Sequence, residues 1–189
     1  MTASLPHSHH DYTFADYLAL ERDSTIKHEF DAGEILAMAG GTARHSALAV
    51  NVAVALSSPR AAGCTVFQSD MRVRVVATGR ATYPDVSMVC GPIEYDPEDI
   101  ARTTITNPVL VVEILSVTTE KGDRGNKWMH YQRIPSLQEY VLVSQDPRIE
   151  IYRRATPDTW EYFEVREGAA RLASGPTLDL STLYADLPV

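Results

Sequence analysis

Long apolar runs are missing from this sequence of 189 residues: no stretch approaches the roughly 20 consecutive hydrophobic residues that span a bilayer. The first ten residues carry no basic region followed by an apolar one, so they do not read as a secretory leader. A cytoplasmic chain is expected. Cysteine is scarce as well. Cys64 and Cys90 have no metal-ligand spacing of the C-x-x-C kind, and two thiols make no disulfide framework, which fits a reducing compartment. Positive charge is short, with 17 Lys and Arg against 25 Asp and Glu and a formal net charge of -8, a poor bulk match for a polyanion. Carboxylates gathered to hold a cation would themselves swell the negative count, and recognition depends on the field around a cleft rather than on the total. Neither tryptophan, Trp128 or Trp160, has the flanking pattern of a base-stacking platform, and both read as packing. Repeats, heptads and low-complexity tracts are absent.

What is present suffices for one core. With 44% hydrophobic residues, the chain is expected to form an unstructured opening over 1–12, its histidines included, and a single domain over 13–189. Thr13 precedes Phe14, Tyr17 and Leu18 at helical spacing, and Asp16 stands where a capping box needs an acid. His28 to Phe30 and Glu34 to Met38 read as two strands joined by a glycine-containing turn. His45 to Leu56 places Leu48, Val52, Ala55 and Leu56 on one helical face, and Pro59 stops it. Val66–Phe67, a run from Met71 to Val76 in which Arg72 and Arg74 alternate with apolar neighbours, and Asp85 to Val89 read as strands. A helix is expected over Asp123 to Arg133 and a strand over Glu139 to Val143. Runs at 149–152, 160–165 and 177–180 read as a small antiparallel extension at the C-terminal end. The fold class is mixed α/β, with helices packed on a twisted sheet.

Val109 to Leu115 is a nearly unbroken β-branched and aliphatic run, the pattern of a strand buried on both faces, yet it contains Glu113. A buried carboxylate is costly unless it is paired or coordinates a cation. Asp85, after Tyr83-Pro84, opens a second apolar strand, because proline is tolerated at a strand's start. If the two strands are neighbours, both carboxylates meet a hard cation such as Mg²⁺, with the Ile114 carbonyl as a further oxygen ligand. The ordinary alternatives are a local turn role for Asp85, an ion pair of Glu113 with Arg72 or Arg74, and a solvent-exposed i, i+4 pair for Asp123 and Lys127.

The segments HEFDAGEILAMAGGTARH (28–45), YPDVSMV (83–89), LVVEILS (110–116), the spacing Asp123…Lys127…Tyr131, and EYVLVS (139–144) together resemble the Uma-type family of the PD-(D/E)XK nuclease superfamily. The resemblance implies a restriction-endonuclease-like fold and metal-dependent hydrolysis of phosphodiester bonds in DNA, with Mg²⁺ or Mn²⁺ on Asp85 and Glu113. The superfamily pattern puts a lysine two residues after the second acid, where this chain has Leu115; in the Uma-type pattern it has moved to the following helix, at Lys127, with Lys121 as the substitute. The resemblance also implies Glu29 as a supporting acid of the cleft; His45, at the start of its helix, reads either as a supporting contact to a phosphate or metal or as helix entry and packing, and Tyr131 reads as core or as a neighbour of the site. A two-fold homodimer is the expected assembly. Leu115 leaves one competing expectation, a non-catalytic nucleic-acid-binding or regulatory domain that keeps the fold.

Overall fold

The structure is a computed structural model that describes residues 11–57, 63–116 and 120–188. Helix α1 (Phe14–Asp23) starts on the expected capping box: the Thr13 hydroxyl accepts from the Asp16 amide, and the Asp16 carboxylate accepts from the Thr13 amide at 2.9 Å. Its Phe14 and Tyr17 form a small core with Phe30 and Ala81. Strands β1 (His28–Asp31) and β2 (Glu34–Ala37) make the expected hairpin. Both turn residues, Ala32 and Gly33, have positive φ, 49° and 86°, as a two-residue hairpin turn requires. Of the opening segment 1–12, residues 1–10 lie outside the described part, while the Tyr12 amide donates to Gly33 O at 2.9 Å.

Helix α2 (Ala43–Ser57) buries Leu48, Val52 and Leu56, three of the four residues expected on one face; Pro59 lies outside the described residues. The strands then follow as β3 (Cys64–Gln68), β4 (Arg72–Arg74), β5 (Ala81–Thr82), β6 (Val86–Cys90), β7 (Thr104–Ile105) and β8 (Leu110–Ile114). Between β8 and β9 (Glu139–Val143) the chain forms α3 (Glu120–Gly122), a π-helical turn (Asp123–Lys127) and α4 (Trp128–Tyr131). The C-terminal part holds β10 (Ile149–Thr156), β11 (Thr159–Val165), β12 (Ala169–Arg171), β13 (Thr177–Asp179) and α5 (Leu180–Leu183).

The strands divide between two mixed sheets and a separate β12–β13 hairpin. The larger has the order β11-β10-β9-β8-β6-β3, with β8 and β9 parallel and the other pairs antiparallel. The smaller has the order β2-β1-β5-β4-β7. A parallel pair needs a crossover, and the α3–π–α4 stretch supplies it between β8 and β9.

Every residue of β8 is buried, Glu113 included, as the apolar run around it requires. Alternation divides it between two cores. Leu110, Val112 and Ile114 pack with the α2 residues, β9, β10 and the C-terminal Leu178 and Leu183. Val111 and Leu115 face the other way, toward Tyr131, Ile134, Tyr140 and Leu142. By the same alternation, Glu113 falls on the Val111–Leu115 side, the side that Tyr131 of α4 covers.

One expectation needs correction. Cys64 and Cys90 are not free thiols: β3 and β6 pair with these two residues directly opposite, and they form a disulfide. Linear spacing carries no trace of that cross-strand register. Arg72 of β4 is buried too: it is 4% exposed and donates to Tyr83 Oη and to Thr104 Oγ1 at 2.8 Å. Among the described residues no helix is long and apolar enough to cross a membrane.

Candidate active site

Asp85 stands one residue before β6, and the β6–β8 register pairs Val86 with Val112. One step further sets Asp85 opposite Glu113, and opposed residues of an antiparallel pair share a face with Cβ atoms about 4.5–5.5 Å apart. The strands are thus neighbours, and the two carboxylates come together. Asp85 is no local turn acid: its Oδ2 accepts from the Ile114 amide across the sheet at 2.7 Å and lies 3.2 Å from His45 Nε2.

Glu113 is 3% exposed and its Oε1 accepts from Lys127 Nζ at 3.1 Å and from Tyr131 Oη at 2.9 Å. Arg72 and Arg74 bind elsewhere, Arg74 with Asp96 and Glu98, so neither is the partner of Glu113. Lys127 also lies 3.0 Å from Asp123 Oδ1 and 3.6 Å from Glu29 Oε1. The Asp123–Lys127 pair is therefore not a solvated one; Asp123 is 1% exposed, and its Oδ1 has no aligned hydrogen-bond donor. Lys121 is exposed and does not line the cleft. Leu115 sits in the core beside Val111, while the crossover helix packed on that face supplies the ammonium from above.

One ammonium thus serves three carboxylates, and the electrostatics follow from that. Burial pushes the Glu113 carboxyl up to about 8; Lys127 opposes this, and the charges of Asp123, Asp85 and Glu29 add to it. Burial pushes the Lys127 ammonium down, but Glu113, Glu29 and Asp123 outweigh it, so its pKa lies above the ordinary lysine value and it stays charged. Burial also holds the Tyr131 phenol protonated, helped by Glu113.

Glu29 belongs to the cleft, with 14% of its side chain exposed; it accepts from Thr82 Oγ1 and from Arg80 at 2.8 Å. Arg80 also bonds Asp31 at 2.5 Å and Asn126 Oδ1 at 3.0 Å. No periodicity marks Arg80, which follows Gly79 in a turn, so the sequence reading missed it. Asp123 carried a signal in its spacing from Lys127, but that spacing reads equally as an exposed pair. Together these groups line a cleft of about 410 Å³ that includes Glu29, His45, Asp85, Glu113, Asp123 and Lys127.

His45 is raised above the ordinary imidazole value first by its hydrogen bond to Asp85, with burial opposing and the Asp85 charge and the Ile114 main chain adding. A Cβ on Gly41 would come within 2.9 Å of His45 Nδ1, so the ring needs a glycine beside it. Gly41→Ala is expected to displace the ring from Asp85 and bring its pKa back down, with the fold kept. A histidine NMR titration unchanged from wild type would contradict this.

Asp85 and Glu113 are the carboxylates that could hold a hard cation. Among the described residues no three His, Cys, Asp or Glu side chains are arranged for a metal, so main-chain oxygen and water would complete the shell. That suits Mg²⁺, which is commonly held by one or two carboxylates and keeps several waters.

A mixed sheet flanked by helices thus carries the two acids on neighbouring strands and the lysine above them. The same fold occurs in a solved structure from Anabaena variabilis ATCC 29413 described as "a putative nuclease belonging to DUF820", with a TM-score of 0.68 and 18% identity, covering 87% of this chain and 93% of that one. At that identity the likeness is one of fold. Residues 14–187 match the family model Uma2, "Putative restriction endonuclease", and the chain belongs to that family. Two uncharacterized Synechocystis proteins are similar: slr1290, 38% identical over 148 residues (77% of this chain, 75% of that protein), and sll1609, 35% identical over 152 residues (78% and 84%).

Proposed function

We propose that the protein is a divalent-metal-dependent endonuclease that hydrolyses phosphodiester bonds in DNA at the Asp85–Glu113 cleft. The observation that carries this reading is the cross-strand placement of Asp85 and Glu113 with the Lys127 ammonium on Glu113. Membership of the family described as "Putative restriction endonuclease" supports the nuclease chemistry. A bound Mg²⁺ or Mn²⁺ would supply Lewis-acid polarisation of a phosphoryl oxygen and of water.

The chain's own residues do the rest. Asp85, fixed by the Ile114 amide and His45, and Glu113, fixed by Tyr131 and Lys127, present their carboxylates from rigid strand ends. Lys127 remains protonated, so its role is to orient the attacking water and to offset negative charge on the phosphoryl group rather than to accept the proton. Glu29, bound to Arg80 and Thr82, holds the far side of the lysine.

The test is incubation of the protein with plasmid and oligonucleotide DNA in Mg²⁺ or Mn²⁺, beside Asp85→Asn. Cleavage is expected to require the cation and to fall at least about a hundredfold in the variant, the scale of losing one preorganised electrostatic group. Equal inactivity of both proteins on every substrate would sink the reading.

A further inference from the structure

We infer that the substrate strand is unpaired where it is cut, and that a nucleobase beside the scissile phosphate lies in an apolar hollow along α2. This inference rests on the proposed nuclease activity and adds the form of nucleic acid that the site accepts. The cleft does not end at Asp85. It opens into a second hollow of about 860 Å³, and Met38, Gly40, Gly41, His45 and Asp85 line both. The wall of this second hollow is the outward face of α2, with Ala49, Val50, Ala53 and Val54, and Ile26 across from it. Val50, Val54 and Ile26 are 59%, 61% and 56% exposed, a contiguous apolar surface.

What the two hollows offer a nucleic acid follows from their lining. A protein that follows a duplex backbone offers Lys and Arg to successive phosphates. Among the described residues, the Lys and Arg side chains lining the two hollows are Lys27, Arg80 and Lys127, and each is already paired within the chain, as His45 is with Asp85. Lys27 binds Asp70, Arg80 binds Glu29 and Asp31, and Lys127 binds Glu113 and Asp123. The surface next to the acids is therefore suited to an apolar ring face, not to a row of phosphates. In a duplex those faces are stacked inward; in a single strand or a bulge they are free to lie on an apolar wall. The recessed acids agree with this, since Glu113 is 3% and Asp123 1% exposed at the floor of the cleft.

The experiment compares Mg²⁺- or Mn²⁺-dependent cleavage of one labelled oligodeoxynucleotide as a single strand, as a perfect duplex, and as a duplex with one bulged nucleotide. The single strand and the bulge are expected to be cut at least about tenfold faster than the perfect duplex, and Val50→Asp, an exposed helix position, is expected to raise KM for the single strand about tenfold while kcat changes little. Equal cleavage of the three forms, or an unchanged KM in Val50→Asp, would overturn the inference and leave the nuclease standing. A concentration-dependent dimer in sedimentation that Val50→Asp abolishes would overturn it too, by giving the hollow to a second copy of the chain. Absence of cleavage of every substrate would remove both readings.

Discussion

Glu113→Gln is expected to abolish metal-dependent DNA cleavage, by at least about a hundredfold, while the protein stays folded and loses a pH dependence that the wild type has. The substitution keeps the shape and the Tyr131 and Lys127 contacts within reach but removes a charge that the apolar strand tolerates poorly. The sign of the pH effect follows from the shift. Burial raises the folded-state pKa of Glu113 to about 8 from an ordinary value of 4.5, so the folded protein binds the proton more tightly than the unfolded chain does. The stability from this group is fully present below 4.5 and is lost as pH rises through 8. In chelator, wild-type thermal stability is therefore expected to fall over that window with a component that Glu113→Gln lacks. Urea titrations of both proteins at several pH values, with cleavage assays alongside, read both effects. Identical pH slopes, or a Gln variant that cuts DNA at the wild-type rate, would count against the account.

Lys127→Met carries the largest expected effect on stability. The methionine keeps the apolar stem but leaves Glu113, Asp123 and Glu29 around a vacated ammonium position, and Asp123 Oδ1 already lacks an aligned donor. Removing one partner of a buried pair costs about 3–5 kcal/mol, because the remaining charge stays buried and uncompensated. At ~2–4 °C per kcal/mol for a domain of this size, Tm is expected to drop by roughly 6–20 °C. Millimolar Mg²⁺ or Mn²⁺ should restore more of that loss in Lys127→Met than it adds to wild type, since a cation can replace the missing positive charge among the carboxylates. Lys121→Met, at an exposed position outside the cleft, is the control and should change neither. A Lys127→Met protein as stable as wild type would mean that the lysine does not neutralise the acids.

Much of this arrangement was legible in the sequence because local patterns carry it. The capping box of Thr13 and Asp16, the hairpin turn at Ala32–Gly33 and the almost wholly apolar β8 are signals within a few residues, and each element forms where its pattern lies. Glu113 stood out for the same reason, as the one acid in a run whose neighbours are all apolar. What depends on register or on long-range approach was not legible. The Cys64–Cys90 pairing needs the β3–β6 alignment, and the hold of Arg80 on Glu29 and Asp31 joins positions about 50 residues apart. The strand expected from Asp85 begins at Val86; at that end of the ladder the Ile114 amide donates to the Asp85 carboxylate rather than to a main-chain carbonyl. The crossover helix also differs from expectation: it starts at Glu120, three residues earlier, and its middle is a π turn.

That π turn sets an angular phase. An α-helix carries four residues through a little more than one revolution, about 40° past the starting direction, so a face marked at intervals of four drifts by about 80° over two intervals. A π turn, with its wider i to i+5 ring, falls short of one revolution over the same four residues. Here Asp123 to Lys127 is the π interval, and the step from Lys127 to Tyr131 crosses back into α-helix. Undershoot and overshoot offset one another like the scale of a vernier. Asp123, Lys127 and Tyr131 consequently stay on one side of the helix, so that Lys127, the last residue of the wide turn, holds Asp123 and shares one oxygen of Glu113 with Tyr131, four residues further on.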